Sequence, residues 1–184
     1  MLYYEIITNA GGLKSKKISL MPVQSGLINY LDTKKVSLEE PVLIKANYYQ
    51  GDDREDDYVC AGNPQVVSED FKKLVEELDP DSAQFFTTKN ITCTTKKKYY
   101  IMHVVKTIDC LDREHSKFLP GIAGEKESIA VGMVDGTKIP EKTHLFRLGE
   151  DTFIHYVSDK FYKEFKKRKL KGCIFMLRSI KETK

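Results

Sequence analysis

A five-residue phrase occurs twice in this chain, and it fixes two points of any fold the chain can adopt. Val67-Ser68-Glu69-Asp70-Phe71 and Val157-Ser158-Asp159-Lys160-Phe161 stand ninety positions apart. In each, a serine sits where its side chain can accept a bond from a free amide of a helix's first turn. An acid follows, suited to the positive end of the helix dipole. Phe71, Leu74, Val75 and Leu78 then fall at the spacing of one buried stripe, so the first phrase predicts a helix over Glu69 to Leu78. Asp79-Pro80-Asp81 stops it. In the second, Phe161 and Phe165 share the inner face and lysines take the outer one. An aromatic follows each helix at the same distance, Phe85 and Phe175, as the start of a strand. Five identities over twenty aligned positions, 67–86 against 157–176, support two similar helix-then-strand units.

The remaining apolar runs read as strands. Leu2 to Thr8, Ile18 to Val23, Val42 to Tyr49 behind Pro41, and Tyr58 to Gly62 are rich in branched and aromatic residues. Tyr99 to Ile108 is nearly continuous in apolar character, as in a central strand covered on both faces. Ile129 to Val134 ends at the Asp135-Gly136 turn. His144 to Leu148 and Thr152 to Tyr156 pair across Gly149-Glu150-Asp151, and Cys173 to Leu177 closes the chain after a turn at Gly172. Long strands outnumber helices without regular βαβ alternation. The expected class is α+β, with a mixed, largely antiparallel sheet and a few helices. At 184 residues the chain fits a single domain, with a β-rich part over residues 1–50.

Composition excludes several classes. No apolar run approaches the roughly 20 residues that span a bilayer. Met1-Leu2-Tyr3-Tyr4-Glu5 lacks the basic segment and apolar run of a secretory signal, so a cytoplasmic location is expected. Cys60, Cys93, Cys110 and Cys173 are irregularly spaced, without a C-x-x-C or a Cys/His pair at ligand spacing, and read as buried reduced thiols. Glycine-rich nucleotide loops are absent from the sequence. No metal and no cofactor is expected.

Charge is divided unevenly. Gly51 to Asp81 carries eleven acids against three bases, and Lys160 to the end carries ten bases against two acids. Within the first stretch, Asp52, Asp53, Glu55, Asp56 and Asp57 place five acids in six residues. That density reads as a loosely held anionic loop, able to complement a basic groove on a partner. Lys166-Lys167-Arg168-Lys169 can touch nucleic-acid phosphates, but the neighbouring Phe161, Tyr162 and Phe165 mostly belong to the core face, which disfavours that use. One group looks chemical: Asp109, Asp112, Glu114 and His115, with His103 on the preceding strand. Carboxylates and imidazoles of that kind bind divalent metals or move protons. Their spacing places them in a strand end and a turn, where they diverge, and Asp112 reads better as the cap of that turn.

Three sets of phrases, taken in order, carry a family likeness. The first is Val67-Ser68-Glu69 with Phe71 and Leu74, then Glu77 to Pro80, then Gln84-Phe85-Phe86. The second is Tyr99 to Met102 through Val105, followed by Asp109 to Ser116. The third is His144 to Leu148, then Tyr156 to Asp159, then Leu170-Lys171-Gly172. Over residues 55–178 the chain resembles a bacterial polymorphic-toxin immunity protein family, typified by a myxobacterial member and long described as a domain of unknown function. The first fifty residues match loosely. The resemblance implies a small, non-enzymatic protein that binds a cognate toxin domain and neutralises it. It transfers no catalytic residues. Ser68, Asp112, Ser116, Phe146, Arg147 and Ser158 match its recurring positions and read as structural, with Arg147 paired to a carboxylate such as Asp112. The acids Asp52, Asp53, Glu55, Asp56 and Asp57 are the expected toxin contact. Two other readings stay open: a binding or scaffold module unrelated to toxins, and a metal-dependent hydrolase built on Asp109, Asp112 and His115.

Overall fold

The structure is a computed structural model, and it describes residues 1–8, 18–23, 33–48, 55–59, 65–92, 94–121 and 127–180. Among them are thirteen strands and two α-helices, an α+β arrangement in mixed sheets. A six-stranded sheet contains β2 (Ile18–Pro22), β3 (Val42–Tyr48), β4 (Tyr58–Val59), β5 (Gln65–Ser68), β6 (Ala83–Asn90) and β7 (Tyr99–Val104), in the order β2-β3-β6-β7-β5-β4. A five-stranded sheet contains β1 (Tyr3–Thr8), β8 (Thr107–Ile108), β11 (Leu145–Leu148), β12 (His155–Ser158) and β13 (Cys173–Leu177), in the order β13-β1-β12-β11-β8. Between β8 and β11 lie the small hairpin of β9 (Lys117–Leu119) and β10 (Ser128–Val131) and a 3-10 turn at Gly136–Lys138.

Both helices begin where the serine phrases place them. Helix α1 spans Glu69–Leu78, and α2 spans Asp159–Lys167. Ser68 (φ −71°, ψ 165°) accepts from the Phe71 amide, and Ser158 (φ −75°, ψ 163°) accepts from the Phe161 amide. Phe71, Leu74, Phe161 and Phe165 are fully buried, each contributing about 2–3 kcal/mol of transfer free energy. The Phe71 ring lies 5.6 Å from Phe161 and 6.2 Å from Phe165. These rings anchor one cluster that draws Val67, Tyr100 and Met102 from one sheet and Ile6, Leu145 and Val157 from the other. Two further clusters cover the far faces, one around Val66 and Ile101, the other around Phe146 and Tyr156.

Two clasps, one through a carboxylate and one through a backbone carbonyl, tie the sheets together. Past α1, the Asp79 carboxylate accepts the amides of His144 (2.8 Å) and Leu145 (3.3 Å). Past α2, the Lys171 carbonyl accepts the amides of Asp57 (2.9 Å) and Tyr58 (3.1 Å). Gly172 lets the second clasp close. Its φ is +103°, and a Cβ there would overlap the Tyr58 carbonyl oxygen.

One strand is shorter than the sequence indicates. The run Tyr99 to Ile108 divides at Val105-Lys106. Every residue of β7 is buried, whereas β8 leaves for the other sheet and pairs in parallel with β11. The amides of Val105 and Lys106 both bond to the Ser82 carbonyl, and the Lys106 ammonium pairs with Asp79. An ion pair inside an apolar run thus marks the passage between sheets.

Candidate functional site

The acidic run is the largest departure from the sequence reading. Glu55, Asp56 and Asp57 are buried, at 6%, 4% and 2% exposure. The Glu55 carboxylate accepts the Lys96 and Lys97 amides, each at 2.7 Å. Asp57 accepts the Ser68 hydroxyl (2.7 Å), the Lys97 ammonium (2.6 Å) and the Lys171 amide (2.8 Å). The expectation of a loose anionic loop is therefore corrected for these three residues. The charges of Glu55 and Asp57 are compensated by Lys96 and Lys97, the α1 cap and the α2 clasp, which makes their burial affordable. Asp52 and Asp53 lie outside the described residues.

The group that looked chemical does not converge. The Asp112 carboxylate takes the His115 amide (3.2 Å) and ring Nδ1 (2.8 Å) on an exposed turn. Ser116 Oγ donates to the Asp112 carbonyl (2.5 Å) and accepts the Met133 amide (2.9 Å). The hydroxyl is thus engaged within the connector rather than held toward His115. Asp109 packs against Gly149, where a Cβ would overlap its carboxylate. His103 is fully buried on β7, with Nε2 3.1 Å from the Lys34 carbonyl. Among the described residues no group of three or more His, Cys, Asp or Glu is placed to hold a metal ion. No described helix is long and apolar enough to cross a membrane.

Of the matched positions, Ser68 and Ser158 cap helices, as expected. Phe146 is fully buried, stacked 5.6 Å from Tyr156 and edge-on to Tyr3 at 5.8 Å. Arg147 is also buried, at 1% exposure, and the expected pair with Asp112 is not formed, since that carboxylate is turned to His115. Burial pushes the guanidinium down to about 10, with Tyr58 acting in the opposite direction.

Sequence reasoning missed the buried polar centre around Arg147. His155 neighbours it across β11 and β12, and the Tyr58 hydroxyl lies 3.3 Å from His155 Nδ1. Burial, with Arg147 and His103 nearby, pushes His155 down to about 3, so the ring is neutral at pH 7. A cavity of about 260 Å³ adjoins it, lined in part by Tyr58, Gln65 and His155. A second cleft, of about 690 Å³, opens on the opposite connector beside Arg113, Glu127 and Phe153. Of the cysteines, Cys110 is buried, its thiol pushed up to about 12 by burial, and Cys173 is half-buried; both are free thiols. Cys60 and Cys93 lie outside the described residues.

In this chain most of these conspicuous polar side chains bond within the fold. The comparison of sequences names the chain's kind. A model of the Immunity protein family (Imm11) matches residues 37–177, well over half of the chain, and the chain belongs to that family. No curated protein matches it. The match begins after β1, although β1 lies between β12 and β13 and holds the five-stranded sheet together.

Proposed function

We propose that this chain is a non-enzymatic immunity protein of the cytoplasm. It binds a cognate bacterial toxin domain in stoichiometric fashion and blocks that domain's active site. The observation that carries this reading is the family match over residues 37–177. The divergent placement of Asp109, Asp112, His115 and His103 favours binding over catalysis. With Glu55 and Asp57 committed to internal bonds and Asp56 buried, the acidic contact suggested by the sequence falls to Asp52 and Asp53.

The chain is read as one domain of two similar halves. One is β4-β5-α1-β6-β7, and the other is β11-β12-α2-β13 completed by β1. Their pairings support the likeness. Tyr58 faces Val67 as Leu145 faces Val157, and Val67 faces Tyr100 as Val157 faces Tyr4. Phe85 faces Met102 as Phe175 faces Ile6. The Tyr100 hydroxyl reaches Glu69 and the Tyr4 hydroxyl reaches Asp159, at 3.3 and 3.4 Å. The second half is closed by β1, which supports reading the family-matched segment and β1 as one folding unit.

The test is a co-expression rescue. The C-terminal domain encoded just upstream is induced in a test bacterium with and without this protein. Restored growth and an equimolar complex are expected. Persistent toxicity with this protein soluble and abundant would refute the reading for that partner.

A further inference from the structure

The side chains of the lysine-rich end of the chain have no role in the contacts described so far, and the comparison of the two halves gives them one. Strand β13 is the outermost strand of its sheet. Ile174, Met176, Leu177 and Ile180 are 40–49% exposed along one short stretch. Exposed apolar edges of this kind are usually blunted by charge or covered, because they template the pairing of another chain. The Arg178 amide bonds to the Tyr3 carbonyl at 2.9 Å. Antiparallel alternation then turns the N–H and C=O of Phe175 and Leu177 toward the open edge.

The first half shows how the equivalent surface is dressed. The position matching Ile174 is Gln84, whose amide grips the Val36 backbone at both its N–H (2.8 Å) and C=O (3.0 Å). The position matching Met176 is Phe86, which packs with Val36 and Leu38. The chain thus lays its own extended segment over the first half. Among the described residues no strand pairs with the outer edge of β13. Charge indicates what belongs there. Lys166, Lys167, Lys169 and Lys171 are exposed where the first half carries Glu76, Glu77, Asp79 and Asp81. The Lys166 ammonium stands 5.7 Å from the centre of the Phe175 ring, beside the edge.

We infer that the β13 edge, with its lysine rim, is the docking site for an acidic, extended segment of the partner protein, which adds to the sheet as a further strand. Backbone pairing supplies the hold, Ile174, Met176 and Leu177 receive alternate apolar side chains, and the lysines select acids. A second copy of this chain would bring an identical basic rim against this one, which disfavours self-pairing. Nucleic acid has no use for an open strand edge or apolar side chains. The nearby aromatic rings are also occupied: Tyr162 stacks on Tyr4 at 4.9 Å, and Phe175 packs against Phe165 at 5.0 Å. The assignment of the partner as the toxin rests on the immunity reading; the edge itself does not.

The test uses the full chain and a labelled octapeptide alternating Glu and Val, read by fluorescence anisotropy at low salt. Binding is expected, with no binding of the Lys/Val counterpart. Leu177→Pro removes an outward N–H and leaves the bonds to β1 intact; it should weaken binding at least tenfold. Lys166→Glu with Lys171→Glu should do the same. Met176→Asp supplies a second route to that loss if the proline variant melts early. Equal peptide affinity in folded variants overturns the inference. So does tighter binding of a twelve-nucleotide single strand, or a dimer in sedimentation that Met176→Asp dissolves. In the rescue assay, wild-type protection retained in full by Met176→Asp sinks the docking site and leaves the immunity reading standing. Failure of wild type to protect, with the peptide still bound at the edge, sinks the immunity reading alone.

Discussion

Replacing Asp57 by alanine tests whether the acidic run is a surface or a rivet. The substitution removes three bonds at once. The Lys171 amide is left without its acceptor in a partly buried clasp, a loss of about 1–3 kcal/mol. The Ser68 hydroxyl keeps its cap to Phe71 but loses its own acceptor, about 1 kcal/mol more. Lys97 is 35% exposed and can turn to water, so its pair contributes about 1 kcal/mol or less. The sum is about 2–5 kcal/mol, or about 4–20 °C in Tm for a chain of this length. Asp57→Asn keeps the shape and one acceptor and should cost roughly half of that. Urea unfolding with m checked for constancy measures both. Crossing Asp57→Ala with Lys97→Met should give a coupling of about 1 kcal/mol. A loss below about 1 kcal/mol for Asp57→Ala would refute the rivet and restore the loosely held loop.

His155 sets an acid limit on stability. Its proton binds the unfolded chain below pH 6.5 but the folded chain only near pH 3, so its contribution is complete above 6.5 and is lost as pH falls toward 3. Over that window the parent should lose about 4 kcal/mol more than His155→Gln, read from urea midpoints across pH; parallel pH curves would argue against it. Gly172→Ala should cost about 2–3 kcal/mol or more by thermal denaturation, since it combines a strained φ with overlap at the Tyr58 carbonyl. Ser68→Ala and Ser158→Ala should each cost about 1–2 kcal/mol, and near-equal values would support matched caps. A chain lacking residues 1–8 should lose the five-stranded sheet, because β1 pairs with both β12 and β13; a cooperative unfolding transition at the parent's Tm would contradict that.

Local signals proved readable where the physics is local. A serine cap, an acidic first turn and an i, i+3, i+4 stripe fixed α1 to its observed bounds and placed the start of α2. Hairpin pairing of His144 to Leu148 with the next strand was legible, though the register moved β12 to His155–Ser158. The fate of Glu55 and Asp57 was not legible. Their partners stand 11 to 114 residues away, and nothing near an aspartate announces a distant serine, lysine or amide. The break at Lys106 was hidden for the same reason, since Ser82 and Asp79 lie on a different element. The Asp112–His115 group was visible as residue types, and adjacency alone shows why it stays a turn. Arg147 reads from the sequence as a structural residue paired to a carboxylate, and its depth was not legible because arginine seldom sits at 1% exposure.

The opposed charges around α1 and α2 are then not what holds the two sheets together. Arg168 of α2 does pair with Glu77 of α1, but Glu77 is 58% exposed, and exposed pairs contribute about 1 kcal/mol or less. Cohesion comes from the Phe71, Phe161 and Phe165 rings and from the clasps at Asp79 and Lys171, none of which needs the surrounding lysines. The exposed lysines at 166, 167, 169 and 171 are accordingly free to vary without cost to the fold. A surface charge that the fold does not require can still steer a partner, because steering depends on the field outside the protein rather than on any one contact. Changing these four lysines to glutamine should leave the urea midpoint near that of the parent and slow association with an acidic partner at low salt. If stability fell instead, the basic pole would belong to the scaffold, and the address of the partner would have to be sought elsewhere on the surface.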